Sequence, residues 1–442
     1  MQVLTLTIII AATLASYVTE LHIAPGPLRY LPEFLSLLAT ICVLTLGARD
    51  RFRFVAAPYW IAFAAAAAVI LASVLTNAVS PGTFIGGLRY YVRAVPMFFL
   101  PAVWEFREDQ IRTQLRLLLG IALLQVPVSV YQRHLVTEMG HWSGDPVYGT
   151  LMISSVMSIF LIAVICVAAG LTLRQRLGKG VFLVLFALLV IPTTINETKS
   201  TVLLLPIGLL TTLFLGAPAG KRLRVGGLAV ALFALFGALY VPVYDYYASL
   251  NNPYPYTVED FFSDRNTVQQ YVDQETDLGS RREAGRWDAL VVPLQTFASD
   301  PVRLMFGVGL GNGSPSSLGP SFTGQYYSLF GRYTSETSAA AYIIEMGVLG
   351  LSLALALFLL IMRDAFVVAG RDQTLIGAVA VGWVGVTLVM MLATFYKSIH
   401  LIESLTYLYA YISGLIAAQR VRLALAVQGR RAHLAQLRPL SR

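Results

Sequence analysis

Apolar residues run along this chain in blocks of roughly 20, separated by short polar stretches rich in arginine, glycine and proline. A helix rising ~1.5 Å per residue needs about that many residues to cross ~30 Å of hydrocarbon. The pattern predicts twelve spans, at roughly 2–20, 31–48, 54–75, 86–106, 117–135, 150–171, 180–196, 200–216, 225–247, 338–362, 374–394 and 399–419. The fourth is the weakest, because Pro81-Gly82 and Gly86-Gly87 precede it and Arg89, Arg93, Pro96 and Pro101 interrupt it. The first apolar block has no Lys or Arg before it, so it reads as a retained helix rather than a signal peptide. Short alternating strands of the kind that build a transmembrane β-barrel are missing from the pattern.

One long hydrophilic segment, about Ala248 to Thr337, separates the ninth and tenth spans. Within it Asn251–Pro255 reads as a turn-rich entry, Arg281–Ala298 as an amphipathic helix and Gly307–Gly324 as a Gly/Ser/Pro loop. The expected fold class is therefore all-α, a polytopic transmembrane bundle of about twelve spans with one helical loop domain. Residues 1–247 hold spans one to nine, 248–337 the loop domain, 338–419 the last three spans and 420–442 a basic tail.

Composition agrees with a membrane protein: of 442 residues 57% are hydrophobic and 13% charged, against ~25% charged in soluble domains. The net charge of +8 suggests nucleic acid until its distribution is read. With both termini in the cytoplasm, 20 of the 32 Lys and Arg residues fall in cytoplasmic segments, among them Arg49, Arg112, Arg174, Lys221 and Arg371. This is the positive-inside pattern, so the charge is mostly a topology signal and a nucleic-acid partner drops out. Cys42 and Cys166 sit in apolar runs, and five histidines lack metal-binding spacing, so neither a disulfide framework nor a metal centre is expected.

The remaining cations lie on the outer half, where they offend the pattern. Arg89 and Arg93 in LRYYVR are four apart and share one helical face. Lys199 sits between spans seven and eight. A charge at membrane depth is costly without a partner, which makes such residues functional candidates; snorkelling to the interface beside Tyr90 and Tyr91 is the plainer alternative. Arg282 and Arg286, expected on one face of the loop helix, suit bidentate phosphate binding or a solvated salt-bridged face. Glu336 lies at the mouth of span ten, where it could accept a proton from a sugar hydroxyl or serve in the first turn behind a Thr334 or Ser335 cap. Glu345 falls deeper in the span and is expected to bond to neighbouring helices. Gly307-Val308-Gly309-Leu310-Gly311 mimics a dinucleotide loop but lacks a βαβ unit around it.

Several stretches occur in an order that resembles the O-antigen ligase / O-antigen polymerase superfamily of bacterial membrane glycosyltransferases. Gly144-Asp145-Pro146-Val147-Tyr148-Gly149-Thr150 resembles its GDxVxGT stretch, and Glu197-Thr198-Lys199-Ser200 stands where a Ser-Arg pair is usual. Arg282 and Trp287 through Pro301 to Gly307–Gly311 resemble its R…W…P…GxGxG passage, and Glu345–Leu351 its ExGxxGL signature. One departure is clear: where family members often carry His-Asn nine residues before the signature Glu, this chain has Glu336-Thr337. Ligases depend on that histidine, so the resemblance points to a polymerase.

The resemblance implies metal-independent, cofactor-free glycosyl transfer from an undecaprenyl-diphosphate-linked glycan donor to a glycan acceptor, building O-antigen or exopolysaccharide. The site would face the periplasm across the bacterial inner membrane, with a chain-length regulator and a flippase as partners. Such chemistry needs cations for the departing diphosphate and a base for the acceptor hydroxyl. Arg89, Arg93, Lys199, Arg282 and Arg286 are the expected diphosphate ligands and Glu336 the expected base. Tyr326, Tyr327 and Tyr333 are candidate sugar-stacking surfaces or, equally, an interfacial belt, and Asp145 is a further candidate sugar contact. An O-antigen ligase and a flippase of lipid-linked oligosaccharide are the competing readings.

Overall fold

The computed structural model describes residues 1–50, 52–139, 147–196, 198–217, 219–251, 257, 276–277, 282–316 and 318–436. Among these, helices dominate. The first half holds α1 (Gln2–Glu20), α2 (Leu31–Asp50), α3 (Ala57–Thr76), α4 (Pro81–Val92), α5 (Val95–Val103), α6 (Glu108–Met139), α7 (Ser154–Leu173), α8 (Lys179–Ile195), α9 (Ser200–Gly216) and α10 (Arg222–Asn251). The second holds α11 (Arg286–Phe297), α12 (Pro301–Phe306), α13 (Tyr327–Glu336), α14 (Ser338–Arg371), α15 (Leu375–Ala393) and α16 (Glu403–Gln436). A two-residue antiparallel pair, β1 (Thr276–Asp277) with β2 (Arg282–Glu283), lies before α11.

Nine helical runs among the described residues are long and apolar enough to cross a membrane: α1, α2 with its preceding turn, α3, α6, α7, α10, α14, α15 and α16. The chain is thus a helical membrane protein. Apolar α8 and α9 have 17 residues each, about 26 Å of helix and slightly less than the hydrocarbon thickness. The expected fourth span, 86–106, is two short helices. Its break falls at Arg93-Ala94, just before Pro96 in the first turn of α5, where a proline starts a new helix more readily than it continues an old one.

The centre of the bundle is α15, packed on α7, α9 and α14. Glycines make the close approach possible: a Cβ on Gly382 would overlap the Cys166 carbonyl of α7, and one on Gly385 the Gly208 carbonyl of α9. Small residues at such crossings let helices gain dispersion contacts that lipid does not supply.

The long helix α14 is broken at Gly347, whose φ is +68°. The break releases carbonyls, and two other segments fill in. Val308 N–H donates to Ile344 O at 2.7 Å, and Ser73 Oγ of α3 donates to Glu345 O at 2.6 Å. Gly307, Gly309 and Gly311 all have positive φ, which lets this loop wedge between the break and α4, where Gly87 meets Gly311. The glycine run thus serves close backbone packing. Gly347→Ala, whose new methyl would overlap the Met305 carbonyl, is expected to destabilise by about 3 kcal/mol or more. Gly370→Ala in the same helix meets nothing within 4 Å and should be neutral or mildly stabilising; thermal unfolding of the purified variants compares the two.

The sequence expectation of one helix over Arg281–Ala298 is corrected. Extended backbone at Gly285 (φ −59°, ψ 148°) starts the helix only at Arg286, and Arg282 lies on β2. The two arginines therefore do not share a helical face. The helices of this segment pack on the bundle: Phe297, Phe330 and Tyr333 share an apolar cluster with Ala340 and Ile344 of α14.

Candidate functional site

Arg89 and Arg93 do share a face. Ser80 caps α4 by accepting from Thr83 N–H at 3.2 Å, and four residues of helix place the two guanidiniums one above the other. Both line a cavity of about 550 Å³ at one end of the bundle, joined there by Arg29 from the turn Gly26–Tyr30. A volume of this order suits a ligand site.

The arginines are tied into an ion-pair network drawn from three helices. Arg89 Nε lies 3.0 Å from Glu33 of α2, and Arg93 Nη1 lies 3.4 Å from the same carboxylate and 3.0 Å from Glu403 at the head of α16. Arg93 Nη2 also donates to the His400 carbonyl at 3.3 Å. The Arg93 side chain is only 5% exposed, so the two carboxylates balance a charge that burial alone would not permit. Tyr90 packs under both guanidiniums, at 5.1 and 5.4 Å from its ring centre, and Tyr30 under Arg29 at 4.8 Å. These are cation–π distances.

A third wall comes from Thr150–Ile153, the segment entering α7. Two glutamines of α6 hold it. Gln132 Oε1 accepts from Tyr148 and Gly149 N–H at 3.1 and 2.8 Å, while Gln125 Oε1 accepts from Thr150 N–H at 2.8 Å. The segment turns through positive φ at Gly149 (60°) and Met152 (66°). A non-glycine residue in that region is strained, and Met152 lines the cavity.

Behind the cavity lies a second polar layer. Tyr91 Oη donates to Glu345 Oε2 at 2.9 Å, and its ring stacks on His400 with centres 5.5 Å apart. Glu345, fully buried, also faces the Ser314 hydroxyl and the Gly311 and Gly313 amides. His400, in the turn before α16, has Nδ1 2.9 Å from Ser338 Oγ.

The structure divides the expected site residues. Arg89 and Arg93 come together; Lys199, Arg286 and Glu336 are not among the residues lining their cavity. Lys199 precedes α9 and is half-buried. Arg286 packs on Tyr396, donating to its carbonyl at 3.3 Å with the guanidinium 4.5 Å from the ring centre. Arg282 is described only as a strand position, and Asp145 lies outside the described residues. Glu336 ends α13, whereas α14 is capped by Thr337, whose Oγ1 accepts from Ala340 N–H. This replaces the expected Thr334 or Ser335 cap: the extended backbone falls at Thr337, so the spanning helix starts after Glu336 and not before it.

The three expected tyrosines do not share one exposed face. Tyr333 is 5% exposed, buried in the apolar cluster of the loop segment, because its helix uses that face for packing. Tyr326 accepts from Arg303 at 3.3 Å beside the same cluster, and Tyr327 is exposed. Sequence reasoning missed Glu33, Glu403 and His400 as companions of Arg93. The available signal was a lone carboxylate in each of LPEFLS and LIESLT, just inside an apolar run; a buried arginine needs such partners.

Among the described residues no three of His, Cys, Asp and Glu gather closely enough to hold a metal ion. No protein-family model matches the chain, and no curated protein matches it significantly.

Proposed function

We propose that this chain is a polysaccharide polymerase of the bacterial inner membrane, extending glycan carried on undecaprenyl diphosphate at the periplasmic face. The proposal includes twelve crossings, with α8, α9 and the broken α4–α5 pair completing the nine long helices, and both termini in the cytoplasm. The observation that carries it is the convergence of Arg29, Arg89 and Arg93 on one cavity whose third wall contains Thr150, the end of the GDxVxGT-like stretch. The order of the remaining motifs supports it.

In such a transfer the acceptor hydroxyl oxygen bonds to the anomeric carbon as the bond from that carbon to the diphosphate oxygen breaks. Negative charge grows on the diphosphate, and guanidiniums aimed at it stabilise the transition state more than the ground state. Arg89 and Arg93 would exchange part of their contact with Glu33 and Glu403 for phosphate oxygens. The acceptor proton goes to a carboxylate. Glu336 is the sequence candidate; Glu403 is the carboxylate that lines the cavity, and we assign the role to it.

Purified protein in liposomes, given lipid-linked repeat units, is expected to lengthen the glycan and release undecaprenyl diphosphate. Movement of the lipid between leaflets without lengthening would mark a flippase and overturn the proposal. Glu403→Gln should slow lengthening by about 10²-fold or more, and Glu336→Gln by less than about tenfold on the same scale; the reverse order returns the base role to Glu336.

A further inference from the structure

A second cavity, of about 580 Å³, lies between α6, α7, α15 and α16. Its lining is aliphatic and aromatic along most of its length, and among the described residues its charged ones are Arg112, Arg116 and Arg176. All three belong to one end. Glu108 lies 3.2 Å from Arg112 and 3.7 Å from Arg176, and Arg116 stands one turn above Arg112 on α6. Two guanidiniums thus share one carboxylate and a third stands a turn away, leaving an excess of positive charge at the mouth. This is the end opposite the Arg89–Arg93 cavity, the one the arginine distribution assigns to the cytoplasm.

Along α15 the lining runs from Leu375 through Trp383 and Val386 to Met390, about 22 Å of helix. That is the reach of an extended fatty-acyl chain. An apolar cavity of this size disfavours water, which needs several polar partners, and in a bilayer hydrocarbon is the available filler. Anionic lipid headgroups are enriched at the cytoplasmic surface, where basic pockets between membrane helices hold them.

We infer that the groove between α6 and the α7–α15–α16 wall is a binding site for an anionic phospholipid, its phosphate held by Arg112, Arg116 and Arg176 and one acyl chain lying along α15. Such a lipid stands between α6 and α15. Because α6 also supplies Gln125 and Gln132 to the Thr150–Ile153 wall, its occupancy braces the arginine cavity from the opposite end.

The test uses the full chain in nanodiscs or mild detergent, with retained lipid read by native mass spectrometry. Wild type is expected to retain phosphatidylglycerol over phosphatidylcholine by about tenfold or more. Arg112→Gln combined with Arg116→Gln should abolish that preference while the melting temperature in detergent stays within a few degrees. Ala163→Trp, on the α7 wall, fills the groove and should reduce retention of both lipids. Equal retention of the two lipids by wild type, an unchanged preference in the double variant, or displacement of the phospholipid by a polyisoprenyl phosphate would each overturn the inference. None of these outcomes depends on glycan lengthening.

Discussion

Arg93→Ala is expected to abolish glycan lengthening and to weaken the cavity end of the bundle. Its guanidinium joins Glu33 of α2, Glu403 of α16 and the His400 carbonyl. Removing it leaves two half-buried carboxylates facing each other, a change that costs on the order of 3–5 kcal/mol where one partner of a buried pair is lost. Two further variants separate stability from chemistry. Arg93→Ala with Glu403→Leu removes the stranded charge and should recover most of the folded yield; because it also removes the assigned base, it reports on stability alone. Arg93→Lys keeps the charge without the planar fork, and should fold while losing about 10²-fold in rate. Thermal unfolding and lengthening assays on the same preparations check both. A lysine variant with the wild-type rate would mean that Arg93 serves the architecture alone.

Asp364→Ala should be nearly as damaging without touching the cavity. Asp364 is fully buried in α14. Its Oδ2 accepts from Tyr59 of α3 at 3.0 Å, and its Oδ1 meets Arg363 at 3.1 Å and Arg420 of α16. One carboxylate thus joins three helices, and its loss strands Arg420 and a buried phenol. A loss of about 3 kcal/mol is expected, discounted from the fully buried case because both arginines are partly exposed. Adding Arg420→Met should return part of it, since a removed pair costs less than a broken one. A drop in melting temperature that the second substitution does not relieve would assign the loss to the Tyr59 bond.

The arrangement of the network explains how much was readable in the chain. Arg89 and Arg93 were legible as a pair because helical spacing is local: i and i+4 share a face whatever surrounds them. Glu33 and Glu403 are 60 and 310 residues from Arg93, and no local rule links them to it. Tyr333 misled for the converse reason. A tyrosine in a polar segment reads as exposed, yet the segment packs its helices onto α14 and buries that ring among Phe297 and Phe330. Arg282 and Arg286 were joined by assuming one continuous helix; extended backbone at Gly285 separates them.

By itself the sequence determined the material of the protein: apolar blocks of spanning length, the asymmetric arginines, and the glycine and proline positions where helices had to break. Those properties follow from hydrocarbon thickness, backbone hydrogen bonding and steric limits on single residues. Only the tertiary structure decided which charges meet. It brought Arg29 to the α4 pair, placed His400 beside Ser338, and threaded the glycine loop into the opening at Gly347. Such pairings depend on how helices cross, and crossing depends on packing between residues hundreds of positions apart.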